Sequence, residues 1–226
     1  MINFQNNNKS IIDYKNLQEL LDEILTPKFQ QIGLTKSTNF TWHEQTLKEI
    51  RLGFTYTQLK GASGTFTWGV NLDFIPTVNN NKIEYHKTVK NYLHHLFEWT
   101  DEYSNSFIGK PVTKGVTTHF GLKETKKSIM ALFERNESKI FNWYEKAKSI
   151  ENLIDIAEQQ VNFGEYYEIH SPRAKYTLAF LYARANRIND ALKLYDSFGM
   201  SYFDKNEGIK EKLRTVLLSL TEKNGM

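Results

Sequence analysis

The sequence predicts an α+β fold: an antiparallel meander of about four strands packed by helices, followed by an all-helical C-terminal half. Three observations carry that prediction. Apolar residues alternate in two adjacent stretches, first Ile50, Leu52, Phe54 and Tyr56, then Phe66, Trp68, Val70, Leu72 and Phe74. A period of two places each set on one side of a pleated strand. Between them Gly61-Ala-Ser-Gly64 permits the tight reversal of a β-hairpin. From Glu124 onward the apolar spacing turns helical, so strands come first and helices last. That order separates α+β from a doubly wound sheet.

Taken in order, the polar lead of residues 1–9 gives way to Leu17, Leu20, Leu21, Ile24 and Leu25, which recur at helical spacing behind Asp13 as N-cap. Pro27 marks a kink or a new turn, and Gly33 is the expected stop. Lys36 to His43 reads as a first strand with Phe40 and Trp42 on one side, and Glu44-Gln45 as a turn. Residues 77–82 read as a loop. Val89, Tyr92, Leu93, Leu96 and Phe97 fit the stripe of a helix over 87–98. After a turn-rich stretch at 101–115, Val116, Thr118, Phe120 and Leu122 alternate as a fourth strand. Helices are expected at 124–148, 150–161, 173–187, 189–198 and 207–222. This divides the chain into an α+β domain over 1–125 and a helical region over 126–226.

Composition narrows the class. The 226 residues are ample for a core, and 40% hydrophobic with 14% aromatic residues argues against disorder. With no cysteine, disulfides, thiolate metal sites and a cysteine nucleophile are excluded. The N-terminus lacks the charged start and apolar core of a signal peptide, and no run reaches the roughly 18 apolar residues of a membrane span. A soluble cytoplasmic protein is therefore expected, and abundant Asn and Lys suggest a bacterial source. Net charge is +3, but Lys and Glu intermix, as in Lys123 to Lys127 and Lys210 to Lys212. That is a solvated surface rather than a nucleic-acid footprint.

One helical hairpin is more specific. Leu178-Ala179-x-x-Tyr182 followed by Ala191-x-x-x-Tyr195 resembles the core positions of a tetratricopeptide repeat. Lys175 stands where a bulky residue is usual, Phe198 where a small one is, and Phe203 where proline is common. No second copy lies 34 residues away, the spacing such repeats require. The bland reading is two antiparallel helices packed closely through small residues.

In the first half, Gly33-Leu34-x-Lys36, Phe40, Gln58-Leu-Lys60 and Phe66-Thr-Trp-Gly-Val-Asn-Leu72 resemble the bacterial family called domain of unknown function 4304, over about residues 15–125. Leu59 intervenes between the Gln and the Lys, and Asp73 replaces the glycine after Asn-Leu. The resemblance implies an α+β fold and brings no known activity.

Chemistry is sought on the other side of the strands, which carries Asn39, Thr41 and His43, then Arg51, Gly53, Thr55 and Thr57, then Thr65, Thr67, Gly69, Asn71 and Asp73, and finally Thr117, His119 and Gly121. Glycine within a strand often marks close approach by a ligand or another backbone. This face is also what an antiparallel sheet with one solvated side looks like without any function. The candidate binding residues are Arg51, Thr55, Thr67, Asn71, Asp73 and His119. The catalytic residues are left unassigned. His94 and His95 point about 100° apart on a helix and share no metal. No metal-ligand, nucleophile-elbow, phosphate-loop or dinucleotide motif occurs, so no metal or cofactor is expected. The expected function is a non-enzymatic binding or interaction module that meets another protein through the Thr/Gly-rich sheet face. The alternative is a small hydrolase or transferase with a site near Arg51, Asp73 and His119. The oligomeric state is not legible.

Overall fold

The computed structural model of the chain describes residues 10–100, 102–103, 114–164, 167 and 170–222. The expectations for residues 1–9, and those for most of the 101–113 stretch, lie outside them. The fold is α+β, as the sequence predicts. Its elements are α1 (Tyr14–Gln30), β1 (Leu34–Thr38), β2 (Thr41–Glu44), β3 (Ile50–Leu59), β4 (Ser63–Leu72), β5 (Thr77–Asn79), β6 (Lys82–Glu84), β7 (Leu96–Trp99) and β8 (Thr117–Thr118). The helices α2 (Leu122–Lys146), α3 (Ile150–Phe163), α4 (Ala174–Arg184), α5 (Ile188–Asp196) and α6 (Glu207–Glu222) follow, with a 3-10 turn at Met200–Phe203 before α6. The sheet order is β1-β2-β3-β4-β7, β8 also pairs with β4, and β5-β6 is a separate two-stranded ribbon. Among the described residues no helix is long and apolar enough to cross a membrane.

Two compact units interleave along the chain. The first comprises the described residues of Met1–His43, Phe54–Thr67 and Trp99–Lys139; the second comprises those of Glu44–Gly53, Trp68–Glu98 and Ile140–Met226. β3, β4 and α2 are each shared between them, so neither unit is one continuous stretch of sequence.

In the first unit, Asp13 caps α1 by accepting the Asn16 amide at 2.8 Å. The apolar stripe of α1 buries Leu17, Leu20, Leu21, Leu25 and Phe29. Phe29 is the centre of an aromatic cluster, with ring centroids 4.3 Å from Phe54, 5.7 Å from Phe133 and 5.9 Å from Trp42. The Trp42 indole is satisfied by donating to the Thr26 hydroxyl at 2.9 Å. The helix runs through Pro27 and ends at Gln30, three residues before Gly33, whose positive φ of 81° turns the chain into β1. The expected first strand is two strands, broken at Asn39-Phe40. The expected fourth strand shrinks to Thr117–Thr118, with an isolated bridge between Phe120 and Ile11, because Leu122 already opens α2.

In the second unit, α3 to α6 match the predicted helices to within a few residues. Ser149 caps α3 by accepting the Asn152 amide, as the helical spacing requires. Of the repeat-like positions, Leu178, Ala179, Ala191 and Tyr195 are buried, while Tyr182 is half-buried and its hydroxyl donates to Glu158 Oε1 at 2.6 Å. Two expectations fail here. The 77–82 loop is instead the β5-β6 hairpin, turned by Asn80 and Asn81, both at positive φ. Asparagine tolerates that conformation, and two such residues in succession suit a tight two-residue hairpin.

The second failure is larger. Residues 87–98 form no helix: the chain turns at 88–90, where the Asn91 amide donates to the Thr88 carbonyl at 3.1 Å, and Leu96–Trp99 is strand β7. The His95 amide donates to the Val70 carbonyl at 2.7 Å, and the Leu93 amide donates to the Asn71 side chain at 3.2 Å. A stripe of apolar residues fits both a helix and a strap that alternately buries side chains, and here the pairing with β4 decides.

We expect Phe29→Ala to destabilise the protein by about 3–5 kcal/mol, read by urea denaturation, since the vacated volume is walled by rings that cannot collapse into it.

Candidate functional site

The part of the polar sheet face that lies in the second unit is covered rather than solvated. In the second unit Arg51 and Asn71 are fully buried, and Asp73 is half-buried. The three are brought together. Arg51 donates from Nε and Nη2 to Asp73 Oδ1, each at 3.1 Å, and from Nη1 and Nη2 to the carbonyls of Thr88 (3.2 Å) and His86 (2.5 Å). Asn71 Nδ2 donates to Asp73 Oδ1 at 2.5 Å and to the His86 carbonyl at 2.8 Å. Burial raises the pKa of the Asp73 carboxyl, an effect that Arg51, Lys87 and Asn71 oppose. These groups therefore clasp the 86–93 strap to the sheet, and their donors are committed within the protein.

The strand glycines have the same explanation. A Cβ on Gly53 would sit 2.3 Å from the Tyr92 ring, and one on Gly69 would sit 2.3 Å from the Leu96 carbonyl oxygen. The close approach that strand glycines signal is made by the protein's own strap. The Tyr144 hydroxyl adds a bond to the Gly53 carbonyl at 2.8 Å.

His95 follows the strap, just before β7, and is also buried. Its Nδ1 accepts the Leu72 amide at 3.0 Å, so Nε2 carries the proton and donates to the Ile75 carbonyl at 3.1 Å. Burial is the main cause that pushes its pKa down to about 3, from 6.5.

The remaining candidates, Thr55, Thr67 and His119, belong to the first unit. Thr55 and Thr67 are half-buried and His119 is buried. His119 Nε2 lies 2.6 Å from the Tyr56 hydroxyl, which lies 2.5 Å from Thr117 Oγ1, and Thr117 donates to the Gly64 carbonyl at 3.3 Å. Read back from that carbonyl, each hydroxyl passes its proton onward and His119 Nε2 is the donor at the head of the chain. Burial lowers the His119 pKa and raises that of Tyr56, which keeps both neutral. The relay ends on backbone and holds β8 to β4.

A cleft that sequence reasoning missed lies in the second unit. It has a volume of about 200 Å³ and is lined by β5 (Thr77, Val78), by residues 170–173, by Tyr176 of α4, and by Ser201, Tyr202 and Asp204 at the 3-10 turn. Several groups are pinned. Thr77 Oγ1 lies 2.9 Å from His86 Nε2, the Tyr176 hydroxyl donates to the Pro76 carbonyl at 2.8 Å, and Asp204 Oδ2 accepts the Asn81 amide at 2.8 Å.

Arg173 is the residue that precedes α4. Its guanidinium lies 4.2 Å from the Tyr202 ring centroid. Tyr202 in turn stacks on Phe198 at 4.5 Å and 6°. Arg173 is thus held on a rigid aromatic step, and no ion pair neutralises it among the described residues. Phe198, Phe203 and Lys175 are the residues that depart from the tetratricopeptide pattern. They gather here: Phe198 lies 6.3 Å from Phe203, and Lys175 Nζ lies 5.9 Å from the Phe198 ring. Those departures were the one sequence signal for this place.

A larger hollow in the first unit, about 490 Å³, is lined by Val116, Ser128, Ala131, Glu134 and Arg135. There the arginine is occupied, donating to the carbonyls of Ala131 (3.2 Å) and Lys114 (2.6 Å). Among the described residues no three His, Asp or Glu side chains gather in a metal-binding set.

Comparison with family models, with curated proteins and with solved structures brings no match to this chain.

Two outcomes follow from the clasped strap. Gly69→Ala is expected to destabilise by about 1–3 kcal/mol, measured by urea denaturation, because the new methyl meets backbone rather than a side chain that can swing away. His95 sets a pH dependence of known sign. Above pH 6.5 its ring is neutral in both states. As pH falls, the unfolded chain takes up the proton first, while the folded ring resists until about 3. Stability is therefore expected to fall below pH 6.5, by up to about 1.4 kcal/mol per pH unit from this group. Denaturation of wild type and His95→Gln across pH 4–8 (roughly the span where histidine titrates) checks this: the variant's slope should be flatter by that amount, whatever its absolute stability.

Proposed function

We propose that this chain is a non-enzymatic binding module and that its ligand sits in the cleft beside Arg173. The observation that carries the reading is the Arg173 guanidinium itself. It is a planar, permanently charged donor, oriented by Tyr202 and lacking an ion-pair partner among the described residues. The other arginine of the candidate sites, Arg51, spends its donors on Asp73, His86 and Thr88. A charged fork already held in place binds with little loss of side-chain freedom, which is what preorganisation contributes to affinity. The rim adds hydroxyls from Ser171, Ser201 and Thr77 that orient a polar ligand.

The module acts by capture rather than turnover. Of the polar sheet face anticipated as its binding surface, Arg51 and Asn71 are buried and serve as internal scaffolding.

Native mass spectrometry of the protein purified from its host should show a bound species, lost in Arg173→Ala and in Tyr202→Ala. Removing a charged hydrogen-bond partner is worth about 1.5–3 kcal/mol, or roughly a 10- to 150-fold weaker Kd. The urea midpoint of Arg173→Ala should move little, because among the described residues its side chain makes no cap hydrogen bond and no ion pair, and a cation–π contact such as that with Tyr202 is worth about 0.5–1 kcal/mol. Undiminished binding by Arg173→Ala would place the site elsewhere.

A further inference from the structure

We infer that the cleft takes a small zwitterion, with the carboxylate and ammonium of a free α-amino acid as its recognised groups. This rests on the binding reading above and specifies its ligand. Arg173 and Asp204 line the same cleft with opposite charges, yet no ion pair joins them. Each is fixed by something other than the opposite charge. Arg173 lies over Tyr202, and Asp204 is anchored through Oδ2 to the Asn81 amide at 2.8 Å. That second anchor is itself braced, because Asn206 Nδ2 donates to Asn81 Oδ1 at 3.1 Å. Asp204 Oδ1 makes no hydrogen bond among the described residues.

A simple anion would meet Arg173 but be repelled by Asp204, and a simple cation would meet the reverse. A molecule that carries both charges satisfies both ends. The carboxylate end belongs beside Arg173, where the start of α4 adds its positive dipole end and carries no acidic residue in its first turn. The ammonium end belongs beside Asp204. Size agrees with charge: about 200 Å³ is below the roughly 300–1,000 Å³ of clefts that enclose drug-sized ligands.

The test is isothermal titration calorimetry on the full chain with the free L-amino acids, their N-acetyl derivatives and their α-amides. At least one free amino acid should bind, with N-acetylation and amidation each weakening it by 10-fold or more. Arg173→Gln should weaken the free amino acid by a similar factor while leaving its α-amide unaffected. Asp204→Asn, which keeps an acceptor for the Asn81 amide, should weaken the free amino acid while leaving the N-acetyl form unaffected. Equal binding of free and N-acetylated forms overturns the inference.

A parallel titration with acetate, inorganic phosphate and putrescine distinguishes a cleft that binds something other than a zwitterion from a cleft that binds nothing. If one of these binds in an Arg173-dependent manner and no amino acid does, the zwitterion inference fails while the cleft remains the binding site. If neither amino acids nor these probes bind, and native mass spectrometry shows no ligand on the protein purified from its host, both fail together.

Discussion

The buried contact between Arg51 and Asp73 is the constraint on which the second unit depends. A guanidinium with no solvent exposure must have its charge paired and its donors filled, or the desolvation penalty dominates. Asp73 supplies the charge, while the carbonyls of His86 and Thr88 fill the remaining donors. Those carbonyls belong to the 86–93 strap, so burying Arg51 fixes the strap. Asn71 reinforces the same carbonyl of His86 and takes the Leu93 amide. With the strap fixed, Tyr92 lies over Gly53 and His94 over Gly69, at distances no side chain at either position would allow. His95 then bridges Leu72 and Ile75 in its neutral form. The part of the sheet face that carries Arg51, Gly53, Gly69 and Asn71 is thereby turned into an interior.

The helical part of the second unit uses a repeat-like hairpin for a different end. Leu178, Ala179, Ala191 and Tyr195 pack α4 against α5 as small and aromatic residues do in such pairs. The positions that depart from the pattern build the aromatic step beneath Arg173: Phe198 stacks under Tyr202, and Phe203 is buried beside it. An arginine on that step is held by a ring rather than by a carboxylate. Its charge is therefore oriented but not cancelled, and this is what distinguishes it from Arg51.

Much of the fold was legible because its elements carry strong local signals. Asp13 stands at a helix start, alternation marks β3 and β4, and helical spacing runs through most of the second half. The strap at 87–98 was misread because Val89, Tyr92, Leu93, Leu96 and Phe97 satisfy a helical stripe, and only pairing with β4 distinguishes a strap from a helix. The candidate residues Arg51, Asn71 and Asp73 were rightly grouped on one face, since a period of two requires it. Their exposure was misjudged, because alternation reports which side a residue faces and not what covers that side.

The sequence by itself determined the fold class, the boundaries of α1 to α6 within a few residues, and which side chains of β3 and β4 share a face. Those properties follow from short-range geometry, 3.6 or 2 residues per repeat, which a linear chain displays directly. The tertiary structure alone decided that Arg51 and Asn71 are interior and that a neutral His95 is buried with them. It alone set Arg173, Tyr202 and Asp204 around one cleft, although 31 residues separate the first from the last (173 to 204). Both decisions depend on which distant segments meet, and no local period encodes that.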